Sequence, residues 1–493
     1  MNAIRLRFAR SLSTSARVAA APMRLAVCGA GPAGLVVAGI LSRATRTDAS
    51  PLFNIDVFER DLLARGQGAG WDIDENAQKI FERAGLDWCS IVREGSDTWR
   101  IFRVGDDHTD AEPVAMLTPP NIMKRLGAAE NKPESNRAAM REGLLNALSD
   151  NVAVHFGVRI LGAEATEGNN CITLHGKEGR GGVERELGTY DLCIDASGMF
   201  SPLRALRFPN EGGVAQYYNG LTLVCGIIND PEDEQIDPQL VRMLGEGTIE
   251  VVGEQASGDG GFVFLLQRYG AGPGDRRAKF QGGFVAHRPG QVAERIGLDK
   301  SIPRAHISSD EHPEAVQACK HFLHTAMGDR WPRMYHDLVE TLEPMQIFDL
   351  HQCPADAPLA TEDSDLRLVS IGDALHGMSP TSGSGGNLAV SDAGDLATFL
   401  VEASLAGQMR DETWMRALRQ REKAMLERSG PMAKRGMWNT ARYKEISSTK
   451  GPVRAWFDSG SRFKGLGWRA ETMFKAFQIA HRLEGWGGFR DSK

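Results

Sequence analysis

Gly29, Gly31 and Gly34 fit the spacing GxGxxG inside MRLAVCGAGPAGLVVAGILSR, and an acid, Glu59, stands 25 residues past Gly34. The first glycine permits a tight turn. The second lets backbone approach a pyrophosphate, the third lets a helix pack on a strand, and an acid near that distance suits a ribose hydroxyl. A second constellation lies at residues 366–396, LRLVSIGDALHGMSPTSGSGGNLAVSDAGDL. Asp373, at the end of its apolar run, can grip sugar or polyol hydroxyls. The stretch Gly383, Gly385, Gly386, Asn387 opens a helix, whose first N–H groups and positive dipole end suit an anionic ligand. A reduced flavin, negatively charged beside its pyrimidine ring, is one such ligand. The plain alternatives are a surface carboxylate for Glu59 and an ordinary strand–loop–helix turn for the later stretch. Arg137 falls in the first turn of a helix expected over 133–150, where a cation opposes the dipole, so an anionic ligand is a better account than surface charge. Arg141, one turn on, is read as facing solvent.

These groups need particular elements to position them. Residues 25–28 and 53–58 read as short buried strands on either side of an apolar helix, and 366–371 as another. Gly66, Gly68 and Gly70 precede a helix starting near Asp74, with Asp72 a loop or capping acid by default. From 205 to 354 the texture changes to strand-like runs at 220–228, 248–252, 261–267 and 280–287, separated by Gly, Pro and Asp turns. They suggest a sheet with one wall facing a cavity. Tyr217 and Tyr218 are candidates to line it, a buried structural tyrosine being the alternative. The segment MQIFDL is expected to return the chain to the first domain. Past residue 400 the chain reads as helical, first over 412–428, then in shorter pieces broken at Pro431. Trp414, Met415 and Leu418 suggest a packed face; Trp438, Trp456, Trp468 and Trp486 suit a domain interface or a partner surface.

The totals narrow the classes. A chain of 493 residues with 42% hydrophobic and 25% charged residues is long enough for more than one domain and ordinary for a globular protein. A net charge of −7 gives no general attraction to nucleic acid or anionic lipid. The seven cysteines are scattered and never in CxxC spacing, which predicts free thiols rather than disulfides or a zinc site. His321, His324 and His336 complete no familiar ligand set, so no metal is expected. No apolar run is long enough for a transmembrane segment. Residues 1–22 are rich in Arg and Ser and lack acids, like a mitochondrial presequence; a disordered tail, or a true start at Met23, is the alternative.

GDALHGMSPTSGSGGN resembles the second flavin-contact motif of the single-component FAD-dependent aromatic hydroxylases (group A flavoprotein monooxygenases), commonly GDAAHxxxPxxGxGxN, with departures at Leu375 and Ser384. The resemblance implies that Asp373 binds the ribityl chain, that Pro380 lies by the flavin, and that the segment from Gly383 to Asn387 faces the pyrimidine end. It places Gly29, Gly31, Gly34, Glu59 and Arg60 at the nucleotide. Gly70 and Asp72 run beneath the flavin, in a string most similar to the tetracycline-inactivating flavin monooxygenases. Arg137 occupies the NRxxL-type position that contacts FAD, with Met140 replacing Leu. YDLCIDASGMFSPLR is similar to the DG motif ADGxxSxxR at Gly198, Ser201 and Arg204, but Ser197 stands where the Asp should be. His376 and Tyr218 are weak catalytic candidates; the family counterpart of His376 is mainly structural.

Over roughly 23–400 the resemblance implies an α/β protein. A Rossmann-like FAD-binding domain (23–204 and 355–400) would carry an inserted β-sheet substrate domain (205–354) and a C-terminal helical region (401–493). It implies that NADPH or NADH reduces FAD and that O2 is activated as a C4a-(hydro)peroxyflavin. One oxygen atom would then enter an apolar aromatic or polycyclic small molecule. Two rivals stand: a flavin-dependent reductase or dehydrogenase on the same fold, kept open by Ser197, and a non-catalytic flavin-binding interaction protein. A flavin halogenase is disfavoured because WxWxI is absent. A mitochondrial quinone-ring hydroxylase would suit the N-terminus but lacks support from the DG aspartate.

Overall fold

A computed structural model of the chain describes residues 21–62, 70–92, 99–104, 115–116, 132–166, 170–179, 181–208, 216–228, 234–245, 247–256, 261–268, 278–286, 291–298, 307–355, 366–409 and 412–448. Residues 1–20 of the span expected as a targeting segment or tail, Gly66, Gly68, and Trp456, Trp468 and Trp486 lie outside them. Across a five-stranded sheet the order is Leu368–Ser370, Leu192–Asp195, Met23–Cys28, Phe53–Glu59 and Val152–Phe156, all parallel. Such a sheet is buried on both faces, which is why its strands read as unbroken apolar runs rather than alternating ones. Helix Pro32–Ser42 buries Gly34 to Ser42 against it and against helix Gly385–Leu405. Met23–Cys28 lies between Phe53–Glu59, the next strand in the chain, and Leu192–Asp195 from much later, so the strand order switches there. In open parallel sheets ligands bind at the carboxyl ends beside such a switch.

A second, seven-stranded sheet has the order Met345–Gln352, Tyr217–Gly226, Ala278–Ala286, Gly261–Arg268, Thr248–Glu254, Trp99–Arg103, Ala115–Met116. Its residues alternate between faces. Ile249, Val251, Phe262, Phe264 and Leu266 pack on one side in a core shared with helices Pro238–Leu244, Pro313–Met327 and Arg333–Glu340. Their neighbours in the chain, Glu250, Leu265 and Gln267, look the other way, toward the parallel sheet's switch point.

Three expectations change. Trp99–Arg103 falls inside the span assigned to the first domain, yet it pairs in parallel with Thr248–Glu254. MQIFDL does not return the chain to the first domain: Met345–Gln352 is an edge strand of the larger sheet, antiparallel to Tyr217–Gly226. Alternation predicts a strand but not its partner. Pro431 does not break the C-terminal region, because one helix runs Glu412–Ser448 with Pro431 inside it. That helix touches both sheets, and tertiary packing keeps it helical past a residue that would end an isolated helix. Trp414, Met415 and Leu418 are buried on it as expected.

A buried ion network fixes the helix to the parallel sheet. Glu422 receives Arg207 Nη2 at 2.5 Å and Arg419 Nη1 at 2.7 Å, and accepts the backbone N–H of Ser370 at 3.0 Å. All seven cysteines are free thiols. Among the described residues no helix is long and apolar enough to cross a membrane.

Candidate functional site

A cavity of about 1030 Å³ lies between the carboxyl end of the parallel sheet and the inward face of the larger sheet. That is large for one small molecule and sufficient for a cofactor with a second ligand. At one end sits the glycine turn. Gly29 has φ +110°, and a Cβ there would lie 2.4 Å from Ala196 O. A Cβ on Gly34 would lie 1.9 Å from Gly29 O, so this glycine serves helix-on-strand packing and does not line the cavity. A Cβ on Gly31 would meet nothing within 4 Å, so its backbone is open to the cavity. Glu59 ends its strand with one carboxylate oxygen accepting Ala30 N and the other Asp61 N, both at 2.9 Å. An ionised carboxylate has about four acceptor positions, so capacity remains for sugar hydroxyls. Arg60 reaches the cavity from the surface.

At the other end helix Gly385–Leu405 begins without a side-chain cap. Its first N–H groups have no intrahelical partner. Gly383 and Gly385 line the cavity, and Gly386 presses on the Trp71 ring, where a Cβ would sit 2.5 Å away. Asn387 lies outside the cavity wall. Its amide donates to Asp72 O at 2.8 Å and accepts from Asp74 N at 3.3 Å, clamping strand Gly70–Asp72 to the helix start. Asp373 follows Gly372 and lines the cavity beside Pro380. Burial pushes its carboxyl above the usual range, against the pull of His376, Arg137 and Arg204. Arg204 ties the turn before it to this loop, donating to Asp373 O at 2.5 Å.

Asn136 caps helix Arg137–Asn146 through Ala138 N and Ala139 N, which aims Arg137 into the cavity. Arg141 is not solvent-facing: it is 5% exposed, with Nε donating to Ala30 O at 3.0 Å, so it braces the glycine turn. Periodicity missed it because the partner is 111 residues away.

The turn around Ser197 carries a carboxylate after all, displaced two residues upstream. Asp195 is fully buried and accepts Ser197 Oγ at 2.5 Å, Ser197 N at 3.1 Å and Ser201 Oγ at 2.6 Å. Burial pushes its carboxyl up, while Ser197 and Ser201 pull the other way. The residue was visible in CIDASG, but its role depends on the turn folding back on it.

Tyr218 does not line the cavity; its hydroxyl pairs with Thr222 Oγ1 at 3.0 Å. Trp438, Asn439 and Tyr443 of the long C-terminal helix do line it. His376 is buried away from the wall, with Nε2 2.5 Å from Asp392 Oδ2, while Arg428 holds the other oxygen at 2.7 Å. Burial opposes a charged imidazole, but Asp392 outweighs it and raises the pKa. Burial also opposes Asp392 ionisation, yet His376 and Arg428 bring its pKa below the usual value. The raised histidine contributes stability below its unfolded pKa, lost as pH rises through the folded one. The lowered aspartate contributes above its unfolded pKa, lost as pH falls through the folded one. His376→Asn should therefore cost about 1–3 kcal/mol, with a larger Tm drop near about pH 5.5 than near about pH 9. Thermal unfolding at both pH values checks this; flavin content should not change.

A family model described as FAD binding domain matches residues 304–429. HpxO of Klebsiella pneumoniae, solved with FAD and uric acid, is 18% identical over 93% of this chain and 97% of its own, with a TM-score of 0.61. A salicylate hydroxylase–substrate complex is 18% identical over 95% and 96%, TM-score 0.58. The tetracycline destructase Tet(51) is 14% identical over 93% and 97%, TM-score 0.54. No curated protein sequence matches the chain. At these identities the likeness is one of fold, and the fold is that of the FAD-dependent aromatic hydroxylases.

Proposed function

We propose that this chain, with its aromatic-hydroxylase fold, is an NAD(P)H- and FAD-dependent monooxygenase acting on an aromatic or polycyclic small molecule. One observation carries the reading: the glycine turn with Glu59 and the uncapped helix start with Asp373 open onto the same cavity, and a separate sheet forms its far wall. The residues fit FAD. Gly29 and Gly31 offer backbone to the pyrophosphate, Glu59 and Arg60 serve the adenosine side, and Gly34 and Arg141 hold the turn. Asp373 takes the ribityl hydroxyls. Pro380, Gly383, Gly385 and Gly386 border the pyrimidine end, with Gly70, Asp72 and Arg137 on the facing side and Asn387 holding the strand of Asp72 in place.

When bound, FAD supplies two-electron reduction by a nicotinamide and activation of dioxygen. The chain's own contribution is placement and exclusion of water. The apolar part of the sheet wall, including Leu223, Leu265 and Phe348, presents a ring-sized surface, and Trp438 with Tyr443 closes it from the C-terminal helix. Neighbours of the same fold act on or bind uric acid and salicylate, which supports a ring-bearing substrate. The test is a substrate screen on FAD-loaded protein. The expected result is substrate-stimulated NAD(P)H consumption with equimolar oxygen uptake and label from isotopic dioxygen in the product. NAD(P)H consumption with reduced product and no oxygen uptake would instead establish the reductase reading that Ser197 keeps open.

A further inference from the structure

Strand Gly70–Asp72 pairs antiparallel with strand Glu134–Asn136, and the register sets Asp72 directly opposite Glu134. Cross-strand partners in this arrangement lie about 4.5–5.5 Å apart at Cβ. The two carboxyls differ in surroundings. Asp72 lines the cavity, next to Trp71 where that ring meets Gly386, and its backbone is clamped by Asn387. Glu134 is 2% exposed. One of its oxygens accepts Thr248 Oγ1 at 3.0 Å and also Gln267 Nε2. Both donors are neutral, and both come from the sheet on the opposite wall. The pair therefore bridges the helix start that borders the proposed flavin position and the wall that faces the proposed substrate.

We infer that Asp72 and Glu134 share one proton and work as a single acid–base unit of this site, Asp72 exchanging the proton with the bound ligands and Glu134 positioning it. This rests on the flavin-hydroxylase reading for the identity of those ligands. Two carboxyls set opposite each other across a strand pair, one of them out of water, resist ionising together. Burial first, and then the charge and hydrogen bond of Asp72, push the Glu134 carboxyl well above the usual range. Other charged groups near the pair are Lys132, Arg137 and Asp74 in the flanking chain, and Glu250 two residues along from Thr248. A singly protonated pair can give or take. When a ring O–H or N–H loses its proton, Asp72 accepts it and the pair becomes doubly protonated; the reverse transfer restores it. No electron moves in the step. Loss of that proton makes an aromatic ring electron-rich, which is what an electrophilic oxygen donor requires.

The test uses full-length protein and needs no substrate. A carboxyl with a raised folded pKa stabilises below its unfolded value and loses that contribution as pH rises through the folded one. Glu134→Gln, a mimic of the protonated acid, should match wild type in Tm at acid pH and exceed it at alkaline pH. If that variant fails to fold, Asp72→Asn, which removes the charge facing Glu134, should move the fall in Tm with rising pH relative to wild type. In protein saturated with FAD, the visible flavin spectrum should show a pH-dependent step in wild type that Asp72→Asn abolishes. Parallel Tm-against-pH curves, or a flavin spectrum whose pH dependence survives Asp72→Asn or is absent in wild type, overturns the inference. Failure to bind FAD at all defeats the flavin reading instead, and leaves the Tm linkage to decide the proton pair.

Discussion

Gly31→Val gives a protein that melts where wild type does and binds FAD at least about 100-fold more weakly, a loss of about 2.7 kcal/mol. The expectation comes from a contrast within one motif. Gly29 and Gly34 are glycines for the chain's own sake: a Cβ on either would strike backbone, Ala196 O at 2.4 Å or Gly29 O at 1.9 Å. Substituting them damages the fold, so lost flavin would say little. Gly31 has φ −79° and empty space where a side chain would go. Nothing in the protein forbids valine there. Under the proposed function its absence follows from a ligand that must touch backbone, as a pyrophosphate at a helix N-terminus does. Flavin absorbance after gel filtration and a titration with FAD measure the effect, beside a Tm. Affinity within a few-fold of wild type would remove the nucleotide from this turn.

Glu422→Ala should be the most damaging single substitution outside the cavity, costing about 3–5 kcal/mol. Glu422 is 0% exposed and sits between Arg207 at 1% and Arg419 at 3%. Removing it leaves two guanidiniums out of water with one counter-charge gone, and leaves Ser370 N without its acceptor. The cost comes from those orphaned groups rather than from the net worth of the pair. The consequence reaches the site, because Ser370 ends the strand that delivers Asp373, and Arg207 follows the turn built on Asp195. Thermal and urea unfolding should show a large drop in midpoint, with weaker flavin retention. A surface pair gives the control: Arg333 and Asp337, both well exposed, contribute about 0.3–0.5 kcal/mol or less. A Glu422→Ala midpoint as little changed as that would refute the network's structural role.

What could be read from the residues alone was whatever is encoded locally. The glycine turn between strand and helix, the helix starting near Asp74 and the helix start at Gly385 each depend on a few consecutive residues. Their spacing is dictated by backbone geometry that no distant partner alters. The free state of the cysteines was legible from their scattered positions, without CxxC spacing. Arg141, Glu134 and Asp195 were not legible as site-builders, although each stands inside a stretch that attracted notice. Arg141 looked like solvent-facing charge until Ala30 O supplied its partner. Glu134 fell within the helix expected over 133–150, but Glu134–Asn136 is a strand, and Thr248 and Gln267 reach Glu134 from another sheet. Asp195 became intelligible only when the chain turned back to Ser201.

The chain's sequence by itself determined that a glycine turn joins a strand to a helix and that a second helix opens on glycines. Both are short-range consequences of glycine, apolar runs and capping. Tertiary structure alone decided that the two open on one cavity, which sheet each strand joins, and that Pro431 sits inside an unbroken helix. Those outcomes depend on pairing between residues far apart in the chain. Hydrophobic alternation specifies that a strand has a buried face, and is silent about which strand will lie beside it.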